Sequence, residues 1–226
     1  MYFRQLWTIA AKDLRSEWRT REAVNASLAF SITILVLFSI AFDPDNPDIK
    51  ADLLSAGLLW MVYSFAAALA LSRTFARELQ NDCLDALLAA PIPASALYLG
   101  KLLGNFILLL AIEVISLGAF SFLYNVKVAA HFWQLLLTIA LGTWAMAAMG
   151  TFFSALTVNL RLRELMLPVF IYPALVPALL ASISLTDGLL HGIPLSVNDG
   201  AVKILVSFDI IFTSLAVLLI DIVLVG

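Results

Sequence analysis

The sequence predicts an all-α membrane protein with six transmembrane helices behind an N-terminal amphipathic helix. Of its 226 residues, 62% are hydrophobic and only 13% are charged, and the mean hydropathy is +1.00. A soluble domain this apolar could not cover its surface with polar groups. Runs of about 20 mostly uncharged residues recur along the chain, and such runs are long enough to cross a membrane as helices.

The first 22 residues have a different pattern from the rest. Aromatic and apolar residues recur there at helical spacing, at Phe3, Trp7, Ala10, Leu14 and Trp18. Basic residues are scattered between them, so the segment is not a cleavable signal peptide. The pattern predicts an interfacial helix in the headgroup plane, with Trp at the interface and Arg toward phosphate. It acts as a topogenic anchor, as a packed structural element, or as both.

Six predicted spans follow this helix. They cover residues 23–42, 53–72, 102–124, 132–158, 165–186 and 201–223. About 20 residues at 1.5 Å each cross a hydrocarbon core of roughly 30 Å. The fourth run is longer, so we expect it to tilt or to extend past the bilayer. Prolines 168, 173 and 177 interrupt the fifth, where they either shape packing or aid gating.

The basic residues are sorted by side. Those of the N-terminus, of residues 73–101 and of the loop 159–164 number ten of the thirteen: Arg4, Lys12, Arg15, Arg19, Arg21, Arg73, Arg77, Lys101, Arg161 and Arg163. The other side holds Lys50, Lys127 and Lys203. The positive-inside rule therefore predicts that both termini are cytoplasmic.

The longest predicted non-membrane segment, residues 73–101, separates spans two and three. Its apolar residues share one face of a helix and are Leu79, Cys83, Leu84, Leu87 and Leu88. The opposite face carries Arg77, Gln80, Asn81 and Asp85, and Pro91 and Pro93 end the helix. A short second helix restarts at Ser95. We therefore expect a helix, a break and a helix under the membrane, with a polar face toward the cytoplasm.

This order of residues resembles that of ABC-2 type transporter permeases. The resemblance rests on Arg77-Glu78, the following Asp and leucine pair, Ala90-Pro91, and Gly100-Lys101 before the next span. Within that group the chain most resembles the heme exporter protein B family, in its short domain-free layout and its basic amphipathic start. The resemblance covers essentially the whole chain and implies one ABC-2 type permease domain over residues 1–226.

In such permeases the segment after the second span is a coupling helix that seats in a groove of a separate ATPase subunit. The resemblance implies ATPase-coupling residues at Arg77, Glu78, Asp82, Leu84, Asp85, Leu87, Leu88 and Pro91. Arg161 and Arg163 form a second cytoplasmic contact or are topogenic charge only. The chain has no GxxxxGK[ST] motif, so ATP would bind on the partner and this chain would be no enzyme by itself.

Two acids and two histidines are further candidates. Glu113 and Asp209 lie within predicted spans, where a charge is expensive. They either contact a partner or are protonated acids hydrogen-bonded to a neighbouring helix.

His131 and His191, on outer loops, are axial heme ligands or ordinary loop residues. Residues 187–200 form an ordinary loop or a re-entrant segment. No catalytic or metal-binding residue is predicted.

The resemblance implies a function in c-type cytochrome biogenesis at the bacterial inner membrane. The chain would couple ATP hydrolysis to heme export or to release of a heme-loaded chaperone. Its expected partners are an ATPase subunit, cytochrome c maturation membrane subunits, a second permease copy and lipids, but no nucleic acid. Heme is a possible cargo, and no directly bound cofactor is expected. The alternatives are a permease for a lipid, drug or glycolipid, and a non-transporting assembly scaffold.

Overall fold

The computed structural model describes residues 2–42, 51–75, 92–126, 131–157 and 163–225. This part of the chain forms seven α-helices and one short 3-10 helix, and it contains no β-strand. The helices are α1 (Tyr2–Thr20), α2 (Glu22–Phe42), α3 (Ala51–Leu71), α4 (Ala94–Leu123), α5 (Phe132–Leu156), α6 (Arg163–Leu190) and α7 (Asp199–Val225). The all-α prediction is confirmed.

Five of these helices are long and apolar enough to cross a membrane, within the described residues. They are Glu22–Ala41, Ala94–Leu123, Phe132–Leu156, Pro168–Leu190 and Asp199–Leu224. The predicted second span corresponds to α3, whose apolar part, Ala56–Leu71, is shorter. Large apolar side chains are exposed on these helices, such as Leu218 at 73% and Ile222 at 70%. A protein in water would not expose so much apolar surface, so the chain is a multi-pass membrane protein.

Helix α1 has one exposed face and one buried face. Its aromatic residues Phe3, Trp7 and Trp18 are exposed, while Ile9 and Ala10 are buried. The predicted apolar face is therefore divided between an outward aromatic row and a contact with α4. At its end Arg21 takes a left-handed conformation (φ 54°), which breaks the helix before α2. A carboxylate oxygen of Glu17 accepts hydrogen bonds from the backbone N–H groups of Ala23 (2.7 Å) and Val24 (3.3 Å), and so caps α2.

Helix α4 is one continuous helix from Ala94, and not a short helix followed by a span from residue 102. The predicted restart near Ser95 is confirmed, but the helix is not short, because it continues without a break into the predicted third span. Pro93 precedes the first helical residue, where a missing N–H costs nothing, and no residue after it interrupts the backbone bonding. Thirty residues correspond to about 45 Å, so α4 extends beyond a hydrocarbon core of roughly 30 Å.

Helix α6 continues through all three prolines at positions 168, 173 and 177 to Leu190. It thus ends later than the predicted boundary at residue 186. The segment 187–200, predicted to lie on the outer side, consists of the last turn of α6, a turn at Gly192 (φ 79°), the 3-10 helix Leu195–Val197 and the start of α7. A re-entrant position for this segment stays a prediction.

The core lies around α5, which contacts α3, α4, α6 and α7. Small residues let the neighbours approach. A Cβ at Gly142 would meet the Trp60 ring at 2.1 Å, and one at Gly150 would meet a Leu71 methyl at 2.2 Å. Close approach through small residues is the usual basis of helix packing in membranes, where no hydrophobic effect drives helices together. This packing brings α5 close against α3 as far as Leu71, the last residue of α3.

Candidate functional site

The predicted coupling residues lie mostly outside the described part of the chain. This applies to Arg77, Glu78, Asp82, Leu84, Asp85, Leu87, Leu88 and Pro91, and to Arg161. Arg163 is the first residue of α6. The described chain does reach both sides of the coupling segment, here residues 76–91, at Phe75 and at residue 92. The surroundings of these two ends are the candidate site.

A buried lysine, Lys101, joins the two ends. Only 1% of Lys101 is exposed, although it lies just two turns into α4. Its Nζ donates a hydrogen bond to the backbone carbonyl of Thr74 at 3.0 Å and lies 4.7 Å from the centre of the Phe75 ring. It also forms an ion pair with Asp13 of α1 at 3.3 Å. The ammonium group therefore connects α1, the end of α3 and the start of α4.

Asn105, one turn further along α4, adds a second link. Its side-chain amide donates to the hydroxyls of Thr74 (3.1 Å) and Thr151 of α5 (2.8 Å). We call the set Asp13, Thr74, Phe75, Lys101 and Asn105 the basal junction. Its polar side chains bond to one another, to Thr151 and to Lys12, and such bonding offsets the cost of burying polar groups.

Two glycines bring α1 against α4 beside this junction. A Cβ at Gly100 would lie 2.8 Å from the Ile9 Cβ and 2.9 Å from the Leu6 carbonyl oxygen. A Cβ at Gly104 would be in ordinary contact with Ala10 at 3.6 Å. At the start of α4, the Tyr2 hydroxyl donates to Ser95 at 3.2 Å. The N-terminal helix is thus seated along the first three turns of α4.

The intramembrane acid Glu113 belongs to a separate buried set. Its carboxyl group is hydrogen-bonded to Thr143 of α5, and Tyr63 of α3 donates to its backbone carbonyl at 3.0 Å. The Thr143 hydroxyl also bonds the Ile139 carbonyl at 2.6 Å. The second carboxyl oxygen of Glu113 has no hydrogen-bond partner among the described residues. These contacts join α3, α4 and α5 in the middle of the bundle.

The other intramembrane acid, Asp209 of α7, is 7% exposed. Neither of its carboxyl oxygens has a hydrogen-bond partner within the described ranges. One turn further along, the Trp144 indole of α5 donates to Thr213 at 3.1 Å. Within the described residues, no hydrogen bond joins Glu113 to Asp209. The two acids therefore do not form a paired carboxylate site.

The two histidines are not brought together. His131 precedes α5, whereas His191 follows α6. The Nδ1 of His191 lies 2.8 Å from the Asp187 carbonyl and 3.5 Å from its carboxylate. Within the described part of the chain, no group of three or more His, Cys, Asp or Glu could hold a metal ion.

Sequence reasoning missed the burial of Lys101. The prediction counted it among the basic residues on one side of the membrane, as part of a Gly-Lys pair. Gly100 and Gly104 are spaced like the small residues at close helix contacts, and that spacing would have indicated a helix packed here. It would not have shown that the partner is α1, or that Asp13 meets the lysine.

Comparison with known proteins finds relatives that match along most of the chain. The model of the CcmB protein family matches residues 4–222. Three similar proteins are each called heme exporter protein B: that of Rhodobacter capsulatus is 31% identical over 85% of this chain and 88% of its own length. Those of Paracoccus denitrificans (28%; 75% of this chain, 76% of its own) and Pseudomonas aeruginosa (26%; 83% and 83%) are similar over comparable lengths. The chain belongs to the CcmB protein family.

Proposed function

We propose that this chain is a heme exporter permease subunit that acts in c-type cytochrome biogenesis. The observation that carries the proposal is the family match from residue 4 to residue 222, together with relatives named heme exporter protein B over most of the chain. The match includes part or all of every described helix, so the likeness is not confined to one motif. The described helices supply the membrane domain that this function needs.

The finer proposal is that a separate ATPase subunit drives the permease through the coupling segment. The basal junction supports it, because Lys101 and Asn105 bond the end of α3 and also bond or pack against α1 and α5. A force on the coupling segment would therefore be transmitted to α1, α4 and α5 together. The same proposal places both termini in the cytoplasm, the chain in the inner membrane, and a second permease copy and cytochrome c maturation membrane subunits beside it.

The membrane core favours a mechanical role for this chain. Glu113 bonds Thr143 and lies far along α4 from the basal junction. Asp209, His131 and His191 also lie apart from the basal junction. Such isolated groups do not make an acid–base pair, which needs two groups within hydrogen-bond reach of one reacting atom. We infer that the chain moves or releases a cargo and that ATP chemistry takes place on the partner.

The experiment that tests the proposal is affinity purification of the intact chain from a mild detergent, followed by mass spectrometry. We expect an ATP-binding subunit and membrane proteins of cytochrome c maturation. The matched control is the same chain with Leu87→Glu, which places a charge on the predicted apolar face of the coupling segment. An ATPase without cytochrome c maturation proteins would favour a permease for a lipid, drug or glycolipid. Absence of any ATPase in several detergents would favour the scaffold.

A further inference from the structure

We propose that Lys101 is a positioning residue that holds both ends of the coupling segment, and helix α1, at one spacing for docking of the ATPase subunit. The inference rests on the proposed function for the identity of the partner. Its own foundation is the geometry of the basal junction, which consists entirely of described residues.

The first step concerns the free energy needed to bury the ammonium group of Lys101. Lys101 is 1% exposed, and a buried ammonium group is tolerated only with good partners, because removing its hydration is expensive. A methionine or leucine would fill the same volume without that cost. The position therefore demands what an ammonium provides and an apolar chain lacks: several hydrogen bonds in different directions from one point.

The second step is what these bonds join. Thr74 and Phe75 are the last two described residues before the coupling segment, and α4 begins two residues after residue 92. Lys101 donates to the Thr74 carbonyl and lies against the Phe75 ring, so the exit from α3 is bonded directly to α4. Because the same Nζ pairs with Asp13, the position of α1 depends on the same atom.

The third step is that few hydrogen bonds join the end of α3 to α4. Helix α1 has its own contact with α4 through Gly100 and Gly104. At the end of α3, by contrast, the hydrogen bonds to α4 among the described residues are those of Thr74 with Lys101 and Asn105, and Phe75 shares a buried apolar cluster with Tyr98 and Leu102. Loss of Lys101 should therefore loosen residues 72–75 more than it loosens α1, while the bundle around α5 stays folded.

The test uses three full-length variants in detergent: Lys101→Met, the double variant Asp13→Ala/Lys101→Met, and Lys203→Met. Lys203→Met is the matched control, because it makes the same change at an exposed lysine on a different helix, α7. Two quantities are measured. One is the amount of ATP-binding subunit captured per folded chain; the other is backbone hydrogen exchange in peptides covering residues 70–75.

We expect Lys101→Met to lower capture at least about fivefold and to speed exchange at residues 70–75 about threefold, as loss of a charge-assisted bond would. Lys203→Met should change neither. In the double variant the Asp13 carboxylate, whose other ion-pair partner is Lys12, is removed as well, so stability should recover. Capture should stay low because the Thr74 carbonyl still lacks the Lys101 ammonium. Recovery of capture with stability would overturn the proposal, since Lys101 would then only support folding.

The two proposals fail in different ways. If the unaltered chain captures no ATP-binding subunit, the ATPase proposal is wrong, and hydrogen exchange alone decides whether Lys101 holds the end of α3. If the unaltered chain captures the subunit and Lys101→Met captures as much, the ATPase proposal stands and the role of Lys101 in docking is wrong. Unchanged exchange at residues 70–75 would overturn the role in either case.

Discussion

Gly100 of α4 and Ile9 of α1 lie so close that any side chain at Gly100 would collide with Ile9. A Cβ at position 100 would stand 2.8 Å from the Ile9 Cβ and 2.9 Å from the Leu6 carbonyl oxygen. Atoms of these kinds do not approach so closely in folded proteins without strain. The N-terminal helix is therefore seated on α4 by shape, and the pair provides a direct test of this contact.

We expect Gly100→Ala to destabilise the detergent-solubilised chain by about 1–2 kcal/mol, because the backbone of α1 must shift. The matched control is Gly118→Ala on the same helix, where a Cβ meets nothing within 4 Å. That change should be neutral or stabilising by up to about 1 kcal/mol, since Ala is the better helix former. Trypsin cleavage within α1 provides the measurement. Equal cleavage of both variants would contradict the seating of α1.

The ion pair of Lys101 and Asp13 predicts non-additive effects on stability. Asp13→Ala removes one carboxylate from the buried Lys101 ammonium and should cost about 2–4 kcal/mol. The value lies toward the low end because the Asp13 side chain is 26% exposed and Lys101 keeps its bond to the Thr74 carbonyl. Adding Lys101→Met should restore most of that loss. The measurement is the temperature at which half of the detergent-solubilised chain remains monodisperse. Additive losses in the double variant would show that the two residues act independently.

Glu113→Gln should leave function within about twofold of normal, because an amide can keep the contact with Thr143. The Thr143 hydroxyl has one proton and lies close to both the Ile139 carbonyl and the Glu113 carboxyl group, so a donor at position 113 suits the site. The yield of heme-containing c-type cytochromes measures the effect. Glu113→Lys, a cation in the same buried place, is the disruptive control. Full loss in Glu113→Gln at normal abundance would mean that the negative charge is required.

His131→Ala and His191→Ala should each leave cytochrome maturation within about twofold of normal, since exposed local pairs contribute little to stability. His191 already interacts with Asp187 within its own turn, and His131 lies at the start of another helix. Maturation assays and the absorption spectrum of purified chain incubated with heme provide the measurement. A defect accompanied by lost heme absorption would show that the histidine is an axial ligand.

Leu87→Glu should abolish ATP-dependent maturation while the chain still inserts, because it charges the predicted apolar face of the coupling segment. Gln80→Glu, on the predicted polar face, is the control and should be tolerated. Chain abundance in membranes and c-type cytochrome yield are compared in the two variants. Normal maturation in Leu87→Glu would contradict the coupling role of this segment.

Sequence reasoning found the all-α class, the amphipathic N-terminal helix and the apolar character of the helices that follow it. These features depend on periodicity and composition, which are properties of neighbouring residues. It placed the end of α6 too early, at residue 186, because the polar residues that follow do not by themselves stop a packed helix. It also did not show that the short helix predicted from Ser95 continues into the third span. Boundaries are the part of a helix that tertiary contacts alter most easily.

By itself, the sequence determined the class of this protein, the amphipathic character of its first helix and the presence of acids at Glu113 and Asp209. Only the tertiary structure decided what those residues meet. Lys101 and Asp13 are 88 positions apart, and nothing in either local pattern indicates the other. Their pairing depends on the close approach of α1 and α4 through Gly100, and on the end of α3 arriving at the same place. Local patterns report burial and periodicity, whereas a shared buried hydrogen bond depends on how distant helices pack.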